Sequence, residues 1–351
     1  MRAAVYHGKR DVRIEDLPTP TPGAGEVLVK VLRSGMCGTD ASDWKGGPKT
    51  FPVDHRHPVT GHEGPLVFGH EFIGEVIEQG EGATTPVGTL VASGAGVSCG
   101  QCDRCLQGRT NLCRVYYTLG LNAAGGMAEF VAVPESTLVP VPAGLSPDAA
   151  GLAQPLAVGL HAARRTGARD GDKVVLIGAG AIGTFVLTGL RSLVDVDLTD
   201  VDFPGPRLDR AQRLGATRCI AAGPDAPAEV AAAVGPPGAD VVIEASGASG
   251  QLDVAIGLTR PGGTVLQVGL PAGPQQVDVW SLVMQEKTVQ TTLAHVCGDD
   301  LAPALDILAT TPLAGELLEG VHPLGAVAEQ LDRLASGQLE GKVLFDPTLE
   351  G

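Results

Sequence analysis

Lys173-Val174-Val175-Leu176-Ile177-Gly178-Ala179-Gly180-Ala181-Ile182-Gly183 is the stretch on which the fold turns. Val174 to Ile177 form an unbroken apolar run, the pattern of a parallel strand buried on both faces. The next six residues fit G-x-G-x-x-G, and residues 181–193 have the length of a helix. In that setting each glycine has a task. Gly178 makes the tight turn, Gly180 lets the backbone approach a pyrophosphate, and Gly183 lets helix pack on strand. The helix start, at Ala181 and Ile182, offers N–H groups and a dipole to the anion. An acidic residue about 20 positions on would bind the ribose hydroxyls. Asp202 fills that place at the end of a strand expected at 196–201, and Asp200 reads as a polar strand residue. Asp202 would repel a 2′-phosphate, so NAD is expected over NADP, with Arg207 and Arg210 weighing the other way.

Outward from this unit, residues 240–244 and 263–268 read as two more buried strands, and 208–214 and 251–258 as helices between them. Strand–helix alternation predicts a parallel, doubly wound α/β sheet. The first ~150 residues have another texture: short strands such as 27–31 and 75–78, broken by Gly and Pro every few positions, as in a compact β domain. A helix at 156–165, another at 301–308 and a strand at 342–345 complete the reading. The expected organisation is a β-rich catalytic domain at 1–154, a nucleotide-binding domain at 155–293, and a return at 294–351 that completes the first.

The chain has 351 residues, 44% of them hydrophobic and 19% charged, which excludes a mainly disordered polymer. Its 49 glycines and 26 prolines follow no three-residue period, so collagen is excluded. With 25 basic against 40 acidic residues the formal charge is −15. No basic cluster exists to grip a phosphate backbone or an anionic membrane, so neither nucleic acid nor membrane is an expected partner. The amino-terminal residues have no apolar stretch of signal-peptide length, and a cytoplasmic location is the expectation.

Four of the seven cysteines fall in Cys99-x2-Cys102-x2-Cys105-x7-Cys113. Four thiolates close a tetrahedral shell around Zn²⁺ and leave no open position, so such a site is structural. It replaces a hydrophobic core in a segment, about 96–116, with few apolar residues. An iron–sulfur cluster or free thiols are the competing readings; the ferredoxin run wants a shorter last gap and a following Pro, and Arg114 follows here. Cys219 and Cys297 are isolated and read as buried thiols.

Cys37-Gly38-Thr39-Asp40 and Gly69-His70-Glu71 suggest a second, open metal site, although by spacing alone His70 could equally be a core histidine. Gly69-His70-Glu71-Phe72-Ile73-Gly74, followed by Gly80 and Ala83, resembles the zinc signature of medium-chain alcohol dehydrogenases. The four-cysteine segment and the glycine fingerprint occur in the same order in that family. With Gln154-Pro155-Leu156-Ala157 and Gly341-Lys342-Val343-Leu344, the chain resembles its sorbitol, 2,3-butanediol and polyol dehydrogenase branch.

The resemblance implies a GroES-like catalytic domain, a Rossmann domain and two zinc ions per chain, one structural and one catalytic. It implies Cys37 and His70 as zinc ligands, Glu71 at or next to the metal, and Asp40 behind His70, fixing its tautomer. Thr39 would pass the alcohol proton on, and Lys342 would approach the cofactor pyrophosphate. The implied activity is zinc-dependent hydride transfer from a secondary alcohol, polyol, cyclitol or sugar to NAD, in a homodimer or homotetramer. A glucose or aldose dehydrogenase of the same fold is the first alternative; a cofactor-binding or sensing protein without catalysis is the second. Two positions depart from the branch. Gln154 stands where a Glu is usual, which leaves the metal one negative charge fewer, and Ser42 stands where many relatives end the proton relay with His. Gly61-His62-Glu63 mimics the signature but has Leu66 where Gly is wanted, so His55, His57 and His62 read as loop residues. Trp44, Leu119, Leu121 and Asn122 are candidates for the pocket wall or for packing.

Overall fold

A computed structural model describes residues 1–350. The chain divides into two compact units, one made of Met1–Ala157 and the stretch from Val296, the other of Val158–His295.

The first unit is built on a seven-stranded sheet. Its order is Leu138–Pro140, Leu90–Ser93, Glu71–Gln79, Glu26–Gly35, Lys342–Asp346 and Leu318–Pro323, with Phe130–Pro134 also paired to Glu26–Gly35. In Glu26–Gly35 the residues Val27, Val29 and Val31 alternate inward and form one core with Phe72, Val76, Val91 and Val131. The period of two that predicted a strand therefore also selects its buried face. Register does the positioning. Gly35 pairs with Glu71 on one side and with Leu344 on the other, which brings the chain just before Cys37 beside residues 36 and some 300 positions away. A second core, with Trp44, Phe51, Phe68, Met127, Leu331 and Phe345, joins the helices Gly38–Gly46 and Val327–Ala335 to the sheet.

The second unit is a six-stranded sheet in which every pairing is parallel. Numbered along the chain from Lys173–Ile177, its strands lie in the order 3-2-1-4-5-6, the arrangement of dinucleotide-binding sheets. Lys173–Ile177 sits centrally between Asp197–Asp202 and Ala239–Glu244, buried on both faces as its unbroken apolar run requires. The helix Ala181–Leu193 follows it, with Val186, Leu187 and Leu190 in the core. Several elements lay outside the sequence reading, among them the strand Arg218–Ala221 with the helix Ala226–Val234, and the edge strand Thr288–Thr291. The first strand is short and mixed, the helix is mostly alanine, and the edge strand is polar. None carries a periodic apolar signal. The strand expected at 263–268 begins earlier, at Thr259, and crosses Pro261 and two glycines by a register shift. Among the described residues no helix is long and apolar enough to cross a membrane.

Candidate active site

The helix Gly38–Gly46 starts immediately after Cys37. The Asp40 carboxylate, three residues on, accepts the Cys37 backbone N–H at 2.8 Å, as a capping residue does. That bond fixes where the thiol is presented. His70 and Glu71 open the strand Glu71–Gln79, and the turn into it uses Gly69 at φ +94°, where a Cβ would press on Met127 and Ser34 at 3.0–3.1 Å. The Cys37, His70 and Glu71 donor atoms all lie within 4.8 Å of one another. His70 and Glu71 are buried, at 5% and 1% exposure. Desolvation and the Glu71 charge push the Cys37 thiol up, while Lys342 opposes them.

The donor set fits a zinc ion: one sulfur, one imidazole nitrogen and one carboxylate oxygen converge, with fewer than four protein ligands among them. The orphaned polar atoms fit as well. His70 Nδ1 and Asp40 Oδ1 are both buried without a hydrogen-bond partner, 3.6 Å apart. Asp40 was expected to bond His70 directly. It faces Nδ1 beyond hydrogen-bond distance instead, because its other oxygen is committed to the helix start. Asp40 is pushed up to about 7 by burial, with His70 pulling the other way. Thr39 Oγ1 lies 3.9 Å from Cys37 Sγ. Gln154 is buried in the first turn of the helix Ala153–Thr166.

Lys342 has a partner that the sequence did not announce. Its ammonium is buried within the first unit, 2.5 Å from Glu71 Oε2 and 2.5 Å from the Met36 carbonyl. The Leu344–Gly35 register carries it there, and a buried cation needs an anion beside it. It is thus a partner of Glu71. Other expectations resolve toward packing. Trp44 is buried and donates Nε1–H to Asp332 at 2.9 Å, Leu119 lies in the strand core, and the Asn122 side-chain oxygen accepts the Thr118 N–H at 3.0 Å. His57 Nδ1 accepts the Thr60 N–H, and His62 Nε2 lies 3.2 Å from the Gly64 carbonyl, so this loop uses its histidines to hold itself.

In the four-cysteine lobe the sulfurs of Cys99 and Cys113 are 3.5 Å apart, those of Cys102 and Cys105 3.6 Å, and those of Cys102 and Cys113 3.9 Å. A disulfide would need about 2.05 Å; thiolates around zinc at about 2.3 Å sit about 3.8 Å from each other. Backbone N–H groups of Arg114 and Cys105 pull Cys102 down to about 6, and those of Gln101 and Cys102 lower Cys99. Cys105 is pushed up to about 11 by burial and by its neighbouring thiols.

In the second unit a cavity of about 360 Å³ opens at the carboxyl ends of the central strands, lined by Gly178, Gly180, Asp202, Arg207 and Ser246 among others. Gly178 has φ +106°, and a Cβ on Gly183 would collide with the Gly178 carbonyl. A Cβ on Gly180 would meet no protein atom within 4 Å. Its absence leaves room for a ligand rather than for packing, which fits a dinucleotide lying on this turn. Asp202 accepts the Ala179 N–H at 2.7 Å and the Phe203 N–H at 2.6 Å. Ser246 and Glu244 were missed by the sequence reading. The Glu244 carboxylate accepts the N–H groups of Ser246 and Gly247 and so shapes the rim. An acidic residue ending a buried strand just before Ser-Gly is the signal that could have found them.

Comparison with known proteins agrees with this geometry. Residues 23–143 match the alcohol dehydrogenase GroES-like domain, and residues 173–310 the zinc-binding dehydrogenase domain. The chain is 34% identical to (R,R)-butanediol dehydrogenase of Bacillus subtilis over 87% of each chain, and 32% identical to sorbitol dehydrogenase of the same organism over 78% and 76%. The crystal structure of 2R,3R-butanediol dehydrogenase from Bacillus subtilis superposes with a TM-score of 0.90 at 31% identity, covering 99% of both chains. An alcohol dehydrogenase of Escherichia coli CFT073 complexed with NADH does so with 0.88 at 26%, covering 99% of both. The chain belongs to the zinc-binding medium-chain alcohol dehydrogenase family, and it is an oxidoreductase.

Proposed function

We propose that this enzyme oxidises a secondary hydroxyl of a polyol, cyclitol or sugar to the carbonyl, with NAD as hydride acceptor. The observation that carries the reading is the buried convergence of Cys37, His70 and Glu71 within 4.8 Å. The family relatives named for butanediol and sorbitol support the substrate class.

Cys37, His70 and Glu71 would hold the catalytic zinc, with the Gln154 amide oxygen as a further donor; Cys99, Cys102, Cys105 and Cys113 would hold a structural one. Zinc in the first site supplies Lewis-acid polarisation of a hydroxyl oxygen. Asp40 lies 3.6 Å from His70 Nδ1; a hydrogen bond drawn in there when zinc is bound would leave Nε2 to face the metal. Lys342 pairs with Glu71 and sets a counter-charge beside that carboxylate in a buried place. The Thr39 hydroxyl, 3.9 Å from the Cys37 sulfur, takes the substrate proton and hands it on. Gly178, Gly180, Gly183 and the N–H groups of Ala181 and Ile182 bind the pyrophosphate. Asp202 accepts the ribose hydroxyls, which favours NAD over NADP, and Arg207 flanks it.

The reading includes self-association into a dimer or tetramer. Thr288–Thr291 is an uncharged edge strand, and Trp280, Val283 and Met284 nearby are 71%, 69% and 63% exposed. Such an edge is normally covered or guarded by charge.

Two measurements on the purified protein test the proposal: zinc content, and NADH formation with a panel of diols, polyols, cyclitols and aldoses. Two zinc per chain and turnover of a secondary alcohol are expected. One zinc without turnover would overturn the catalytic reading and leave a structural site. Turnover confined to aldoses would replace the polyol by a sugar C1 hydroxyl.

A further inference from the structure

The strand Asp197–Asp202 carries two carboxylates two residues apart, hence on one face. Asp202 is at its end, on the cavity wall. Asp200 is fully buried, in register with Leu176 on one side and Cys219 on the other. This face packs in an apolar cluster with Leu198, Val186, Leu187 and Ala211, where a valine or leucine would serve the packing. The carboxylate is therefore a cost, and both its oxygens lack a hydrogen-bond partner. The charged and titratable groups near it are Asp202 on its own strand, Arg210 on the helix Pro206–Arg213, and the Cys219 thiol on the next strand. Burial and the Asp202 charge push Asp200 up to about 7, and Arg210 opposes them.

Arg210 is itself buried, and its Nη2 lies 3.4 Å from the Ala179 carbonyl, while Asp202 accepts the Ala179 N–H. The two charges thus hold the middle of the glycine-rich turn from both ends, and Asp200 belongs to the same electrostatic group.

We propose that Asp200 is a specificity-determining residue for the cofactor. Its charge, one strand alternation beneath Asp202, deepens the negative field at the ribose end of the cavity and offsets Arg210, so that a 2′-phosphate is rejected. The inference rests on the reading of this cavity as the NAD(P) site. The field acts through the protein without contact, and a unit charge at roughly 10 Å is worth about a three- to tenfold change in affinity for a phosphate. Asp200 is neutral below its titration and charged above it, so discrimination rises as pH passes through neutrality. The 2′-phosphate also titrates, near 6; that effect is common to wild type and variants and cancels between them.

The test is equilibrium binding of NAD and of NADP to the whole enzyme, wild type, Asp200→Asn and Asp200→Leu, at about pH 6 and about pH 8.5. At the higher pH the ratio of the NADP to the NAD dissociation constant should fall about three- to tenfold in either variant. At the lower pH wild type and variants should agree within about twofold. A purely structural role for Asp200 would move both constants together and leave the ratio and its pH dependence unchanged; that result overturns the proposal. The leucine variant, which suits the apolar face, decides the matter should the asparagine variant misfold. If wild type binds neither dinucleotide, the cofactor reading itself fails, a distinct outcome.

Discussion

The two groups of side chains proposed to hold metal make an instructive contrast. Cys99, Cys102, Cys105 and Cys113 lie within one short stretch, and the helix between them, Asp103–Leu106, has no buried residue. Cys37, His70 and Glu71 come from a helix start and a strand start, with Lys342 from a third element, and His70, Glu71 and Lys342 are buried. The lobe supplies thiolates through local backbone N–H groups, which pull Cys102 and Cys99 down. The buried group does the reverse: desolvation pushes Cys37 up, so its thiolate needs a cation close by. A closed all-sulfur shell holds a loop in place of a core. A mixed shell with fewer protein ligands leaves a position for substrate.

The largest expected effect separates the two. Cys37→Ser or His70→Ala should lower kcat/KM by roughly 10³-fold or more, about 4 kcal/mol of transition-state stabilisation. The melting temperature should stay within a few degrees of wild type, and one of two zinc ions should be lost by elemental analysis. A variant that keeps most of its activity would erase the contrast.

Lys342→Met comes next. It leaves the Glu71 carboxylate buried without its cation, which costs about 3–5 kcal/mol, read from the denaturation midpoint; Lys342→Arg should recover part of it. Equal stability of the methionine variant would mean that Glu71 has another partner.

Cys102→Ser should act on the lobe alone. The other zinc is lost, the segment around it becomes protease-sensitive, and melting falls by roughly 5 °C or more. Activity of the protein that remains folded should change less than about threefold. A larger activity loss without a stability loss would assign the lobe a part in catalysis.

The last effect concerns pH and the second unit, and it vanishes in acid. Asp200, near 3.9 when unfolded, is pushed up to about 7 in the fold. The folded state then holds the extra proton between those values, and stability falls as pH rises through them. Below about pH 4 the group costs nothing, and above about 7 its penalty is complete. Asp200→Asn should therefore raise stability by roughly 4 kcal/mol at most at pH 8 and leave it nearly unchanged near pH 4. Thermal melts at both values check this, and equal melts at pH 8 would place Asp200 in a solvated setting.

The same contrast sorts what was legible in the sequence. The cysteine spacing, the glycine fingerprint and the apolar strand of Lys173–Ile177 are short-range patterns, and each appears in the structure where the pattern put it. The Glu71 partner of Lys342 was not legible because nothing in Gly341-Lys342-Val343 says which strand will lie beside it. The Leu344–Gly35 pairing does, and it seats the ammonium on Glu71. Asp200 read as an ordinary polar strand residue because alternation alone does not say whether its face meets water or two helices. Trp44 is a candidate for pocket wall or packing in the sequence, and its indole N–H bond to Asp332, far along the chain, places it in the packing.

By itself, the sequence determined the kinds of chemistry available: thiols at ligand spacing, a glycine-rich turn before a helix, and an acidic residue at a strand end. Each depends on backbone geometry over a few residues, which local composition controls. Only the tertiary structure decided which distant charges became neighbours, Glu71 with Lys342 and Asp200 with Arg210. Sheet register and burial set those distances, and in a low-dielectric interior an ångström or two of separation decides whether a charge is paired or stranded.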